Sequence, residues 1–128
     1  MQNIACRIVS RAPKVSHVTP LMKELHWLPV EQRVIFKILL LTYKAFNDLA
    51  PEYLRELVTP YCPVRNLRSA DLLQLEVPKT RLKTFGDRAF EAAAAKEWEK
   101  LPIIIKESPS VSTFKTSIKT HLFKSVYK

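Results

Sequence analysis

A single glycine in a chain with nine prolines is the feature that most restricts this fold. Sandwiches and barrels turn every few residues and draw on glycine for those turns, whereas helices need only corners that stop one element and start another. Proline serves such corners, because it is tolerated in a first helical turn and forbidden further in. The expectation is therefore a mainly α fold, a small helical domain with one short β-strand or hairpin element around residues 72–84. The apolar share of 47% is enough for a packed core and too high for a disordered tail. At 128 residues the chain is read as one domain. It divides into a helical half (2–60), a loop and extended segment (61–84) and a second helical half (85–128).

Hydrophobic spacing sets the individual elements. Ile4, Ala5, Ile8 and Val9 lie at helical intervals and read as the end of a helix that begins upstream. After a polar hinge, Thr19-Pro20 opens a short helix with Leu21, Met22 and Leu25 on its apolar face. His26-Trp27-Leu28-Pro29 ends it and starts the next, in which Val30, Val34, Ile38, Leu41 and Ala45 are flanked by Ile35, Leu39, Leu40 and Phe46. So wide an apolar surface predicts a central, buried helix. Asn47-Asp48 stops it, and Pro51 to Val58 forms another helix, burying Tyr53, Leu54, Leu57 and Val58. Leu73, Leu75 and Val77 alternate with polar residues as a strand does, and Lys79, Arg81 and Lys83 continue the alternation with three cations on one face. Thr84 to Asp87 has capping-box spacing before an alanine-rich helix through Trp98. Ser110 caps a last helix carrying Val111, Phe114, Ile118 and Leu122 on one side.

The residues exclude more chemistry than they offer. Asp48, Asp71 and Asp87 include no neighbouring pair for two-metal catalysis. His17, His26 and His121 do not have zinc-ligand spacing with each other or with Cys6 and Cys62. One glycine cannot build a phosphate-cradling loop. His17 reads as a hinge or capping residue and His26 as a packed one; Trp27 and Trp98, both among leucines at helix ends, read as core. No catalytic residue, metal site or cofactor is expected, so the chain is read as non-enzymatic. Two lone cysteines and the lack of a signal-like or membrane-length apolar run point to an intracellular setting, cytoplasmic or nuclear, with no membrane partner.

The net charge of +9, from 21 Lys and Arg against 12 Asp and Glu, attracts polyanions. The candidate nucleic-acid-binding residues are Lys79, Arg81, Lys83 and Arg88, with Arg65 and Arg68 in the loop before them and Lys115 and Lys119 on the last helix. Alternating cations follow a phosphate backbone without reading sequence. The alternative for either group is an ordinary solvated face. One contiguous basic patch would favour nucleic acid, and cations scattered around an exposed apolar patch would favour a protein partner.

Several segments, in order, resemble the stretch after the reverse transcriptase of jockey-type and related LINE (non-LTR) retrotransposons. They are Gln2 to Ile8; His17-Val18-Thr19-Pro20 with Leu25 to Val30; and Phe36 to Leu41 with Tyr43-Lys44-Ala45, Leu49-Ala50-Pro51 and Tyr53-Leu54. Val77 to Arg81, Lys83 to Phe90, Trp98, Leu101-Pro102 and Ser112 to Lys115 continue the pattern, which covers residues 2 to about 123. Ala95 departs from it, standing where the family usually has proline. The resemblance implies a C-terminal fragment of an RNA-directed DNA polymerase whose catalytic aspartates lie upstream. Its partners would be RNA or DNA backbone and the reverse transcriptase domain of the parent element. The start at Met1 falls on an internal position of the family pattern, as in a 5′-truncated copy. A docking module without a nucleic-acid role, or an inert product of such a copy, are the alternatives.

Overall fold

The structure, a computed structural model, describes residues 1–63, 73–82 and 84–127. Among them are seven helices and one 3₁₀ turn: α1 (Gln2–Val9), α2 (Val18–Glu24), α3 (Val30–Phe46), α4 (Glu52–Arg55), the turn Gly86–Arg88, α5 (Phe90–Glu99), α6 (Ile103–Lys106) and α7 (Val111–Val126). The mainly helical class is as the glycine and proline count predicts. The expected strand or hairpin contracts to one isolated antiparallel bridge between Pro60 and Leu75. Tyr61 N–H donates to the Gln74 carbonyl and Glu76 N–H to the Thr59 carbonyl, both at 2.9 Å. The partner of the extended segment is thus residues 59–61 rather than the cationic stretch after Val77, and a bend at Arg81 ends the alternation.

α3, α5 and α7 form the core. Leu39, Leu40, Tyr43 and Ala45 of α3 pack with Ala95 and Trp98 of α5 and with Phe114, Ile118 and Leu122 of α7. Buried Ala92, Ala94 and Ala95 give α5 a small-residue face suited to a close approach. Tyr43 stacks on Phe114 with ring centroids 4.1 Å apart, and Trp98 tilts against both Phe46 and Phe114. At the opposite end of α7, the Tyr127 hydroxyl donates to the Trp27 carbonyl at 2.9 Å, just before α3 begins. Those two contacts make α3 and α7 antiparallel. Two inward polar groups of the core are paired: Trp98 Nε1 donates to the Leu73 carbonyl at 2.7 Å, and the Tyr43 hydroxyl donates to the Ser108 carbonyl at 2.6 Å.

With almost no glycine, the chain ends its helices by other means. Arg11, His26 and Asp48 each follow the last residue of a helix end with φ of 51°, 52° and 57°. In each case the next N–H reaches the carbonyl five residues back: Ala12 to Arg7, Trp27 to Met22 and Leu49 to Lys44, at 2.8–2.9 Å. This is the left-handed helix stop usually given to glycine. The one glycine sits where no side chain fits, since a Cβ on Gly86 would lie 2.5 Å from Thr80 Cβ.

Some elements differ from expectation. α2 starts at Val18, with His17 rather than Thr19 at its cap. The helix predicted over 51–58 is only four residues long; Val58 is buried, while Tyr53 is 66% exposed. The Thr84–Asp87 spacing makes no capping box, because Asp87 instead accepts from Thr80 Oγ1 at 2.9 Å and pairs with Lys96 at 2.7 Å. α6 (Ile103–Lys106) adds a short helix between the two that the sequence predicts, through Trp98 and from Ser110. α1 buries Cys6 completely and leaves Ile4, Ile8 and Val9 exposed. α3 is not buried all round either: Val30 and Val34 are 58% and 53% exposed.

Candidate functional site

Two surfaces carry the described candidate cations. The first is a turn fastened by the Thr80–Asp87 hydrogen bond. That bond draws Lys79 and Arg81, beside Thr80, toward Arg88, beside Asp87. All three side chains are exposed. The clasp is itself a carboxylate, so the local field is weaker than three cations alone would give. Lys83, Arg65 and Arg68 lie outside the described residues. The predicted row of cations on an extended face is interrupted, over the part described, by a bend at Arg81.

The second surface involves α7. Lys115 and Lys119 stand one turn apart on it, both exposed. Lys119 also lines a groove of about 850 Å³ along α3. The floor and wall are apolar, formed by Trp27, Leu28, Val30, Val34, Ile38 and Leu41. Spacing of four, four and three residues places the four α3 side chains on one ridge of the helix, turned away from Leu39, Leu40 and Tyr43 in the core. Arg33, Lys37, Lys119, Gln2 and His26 supply the polar lining. Gln2 Nε2 is fixed by the Leu28 carbonyl at 2.8 Å, which ties α1 to this end of the molecule.

Lys119 is among the candidate cations expected from sequence, whereas Arg33 and Lys37 are not. Their signal was present, since both interrupt the wide apolar face of α3, and an all-round buried helix would not carry them there. Trp98 lies in the core as expected, fully enclosed. Trp27 is only half-buried and forms groove wall. His26 is exposed and packs its ring on Phe123 with centroids 5.3 Å apart. The ion pairs of the described residues are Arg55–Asp48, Lys96–Asp87 and Lys100–Glu97, and Lys79, Arg81, Arg88, Lys115 and Lys119 stand outside all of them. Among the described residues no cluster of three or more His, Cys, Asp or Glu is arranged to hold a metal, and no helix is long and apolar enough to cross a membrane. No protein-family model, no curated protein and no solved structure matches the chain.

Proposed function

We propose that the chain is a non-catalytic module of a LINE-type reverse transcriptase that holds RNA or DNA backbone beside the polymerase domain. The family part of this reading rests on the order of the sequence segments quoted above. The observation that carries the binding part is that Lys79, Arg81, Arg88, Lys115 and Lys119 are exposed and form no ion pair among the described residues. Uncompensated cations on a chain of net charge +9 release condensed counterions when they meet phosphates, which is the main source of sequence-independent affinity.

The test is a titration of the chain with labelled single-stranded RNA and duplex DNA across salt concentrations. Affinity is expected to fall linearly in log–log form. The triple variant K79A/R81A/R88A is expected to lower the slope by about 2–3 on duplex DNA, one contact per cation. An unchanged slope removes the turn from the interface, and no binding at low salt by folded chain refutes the reading. A protein-docking role has its own support in the apolar groove, whose cations stand around an apolar surface.

A further inference from the structure

We propose that the groove along α3 receives an amphipathic helix of a partner protein, one that presents an apolar face flanked by carboxylates. A packed helix normally turns its apolar ridges inward, yet α3 shows two. One is consumed by α5 and α7. The other, Val30, Val34, Ile38 and Leu41, lines open space. From Val30 to Leu41 it spans eleven helical steps, about 16 Å at 1.5 Å per step, which an apolar face of three turns would cover. Ridge spacing of this kind fits the groove of another helix, with anchors at i, i+3 or i+4 and i+7.

Charge selects the occupant. Arg33, Lys37 and Lys119 stand along the groove and make no ion pair among the described residues. A helix bearing acids beside its apolar face satisfies them, and a basic one is repelled. This rules against a second copy seated through its own exposed apolar helix, α1. The charged side chain of α1 is Arg7, and its sequence, QNIACRIV, holds no acid. The cationic turn is separate from this site, since Lys79, Arg81 and Arg88 do not line the groove; of the described candidate cations, Lys119 does.

The probe is a fluorescein-labelled synthetic helix of about 14 residues, with leucines at the anchor spacing and glutamates on both flanks. A control peptide has lysine at every glutamate. Fluorescence anisotropy is expected to show the acidic peptide binding at least tenfold more tightly than the basic one. V34E, an exposed position that leaves the core intact, is expected to weaken the acidic peptide at least tenfold, with an unchanged circular dichroism spectrum. R33E/K37E is expected to reverse the preference between the two peptides, while K79A/R81A/R88A leaves it in place. Four results overturn the inference: no binding to folded chain, equal binding of both peptides, V34E without effect, or loss of binding in the triple variant. Binding of laurate without binding of either peptide also overturns it, by making the groove a site for small amphiphiles.

Discussion

Trp98 shows how much a single side chain holds in a domain of this size. It is fully enclosed, touches Phe46 and Phe114, and donates its indole N–H to the Leu73 carbonyl at 2.7 Å. Trp98→Ala is expected to cost about 3–5 kcal/mol, and Trp98→Phe about 1–3 kcal/mol, largely by orphaning that carbonyl. Urea unfolding of the two variants would separate packing from hydrogen bonding. A second test at this scale uses pH. Lys106 is buried over the Trp98 ring, and burial pushes its amine below the usual lysine range, with Glu99 opposing the shift. The folded chain therefore releases this proton before the unfolded chain does. Between its lowered value and the ordinary one the unfolded state binds more protons, so the Lys106 contribution to stability rises with pH. Tyr127 runs the other way. Burial, and secondarily Cys6, raises its hydroxyl, so its contribution falls once the unfolded tyrosine ionises. In urea midpoints taken over about pH 8–11, spanning the ordinary values of both groups, Lys106→Met is expected to remove the rise and Tyr127→Phe the fall. A pH profile that neither substitution changes would contradict both assignments. The core role of Trp98 was legible from its place among leucines; Lys106 was not, because a lysine in a connecting stretch gives no sign that the chain will fold it over an indole.

Helix ends explain most of what could and could not be read at the level of elements. Ser110 stood out as an N-cap, and its Oγ accepts the Thr113 N–H at 3.2 Å; Ser110→Ala is expected to cost about 1 kcal/mol. The C-terminal stops of α2 and α3 fall where the sequence places them, at His26 and at Asn47-Asp48, whereas the left-handed backbone of Arg11 is uncommon for its residue type. Arg11 is exposed, so Arg11→Gly tests that conformation cleanly. It is expected to raise stability by about 1 kcal/mol, the approximate cost of a left-handed L-residue. Gly86→Ala is expected to do the opposite, since its new methyl meets Thr80 and must displace the turn that holds Lys79, Arg81 and Arg88. Over the described residues the predicted β element is reduced to a bridge: Leu73, Leu75 and Val77 alternate correctly, but alternation does not name a partner, and the bridge described is to Pro60. α3 misled in another way. Its two apolar ridges read as complete burial, when one of them faces the groove.

Lys119 is where the two proposed surfaces meet. It belongs with Lys115 on the exposed side of α7, where a phosphate backbone would pass, and it lines the groove in which an acidic helix would sit. One ammonium cannot neutralise a phosphate and a partner carboxylate at full strength together, so the two ligands should compete weakly through this residue alone. By linkage the effect is reciprocal: whatever factor the peptide takes from RNA affinity, RNA takes from peptide affinity. Occupying the groove with the acidic peptide is expected to lower the log–log salt slope for single-stranded RNA by about 0.7, the loss of one phosphate contact. In K119A the RNA slope should already be lower by that amount, and adding peptide should change it no further. V34E should keep the full RNA slope while losing the peptide. These three titrations form a closed set. Strong mutual exclusion would mean that RNA and peptide share one site, whereas complete independence with Lys119 intact would place the phosphate path away from Lys119 in the middle of α7.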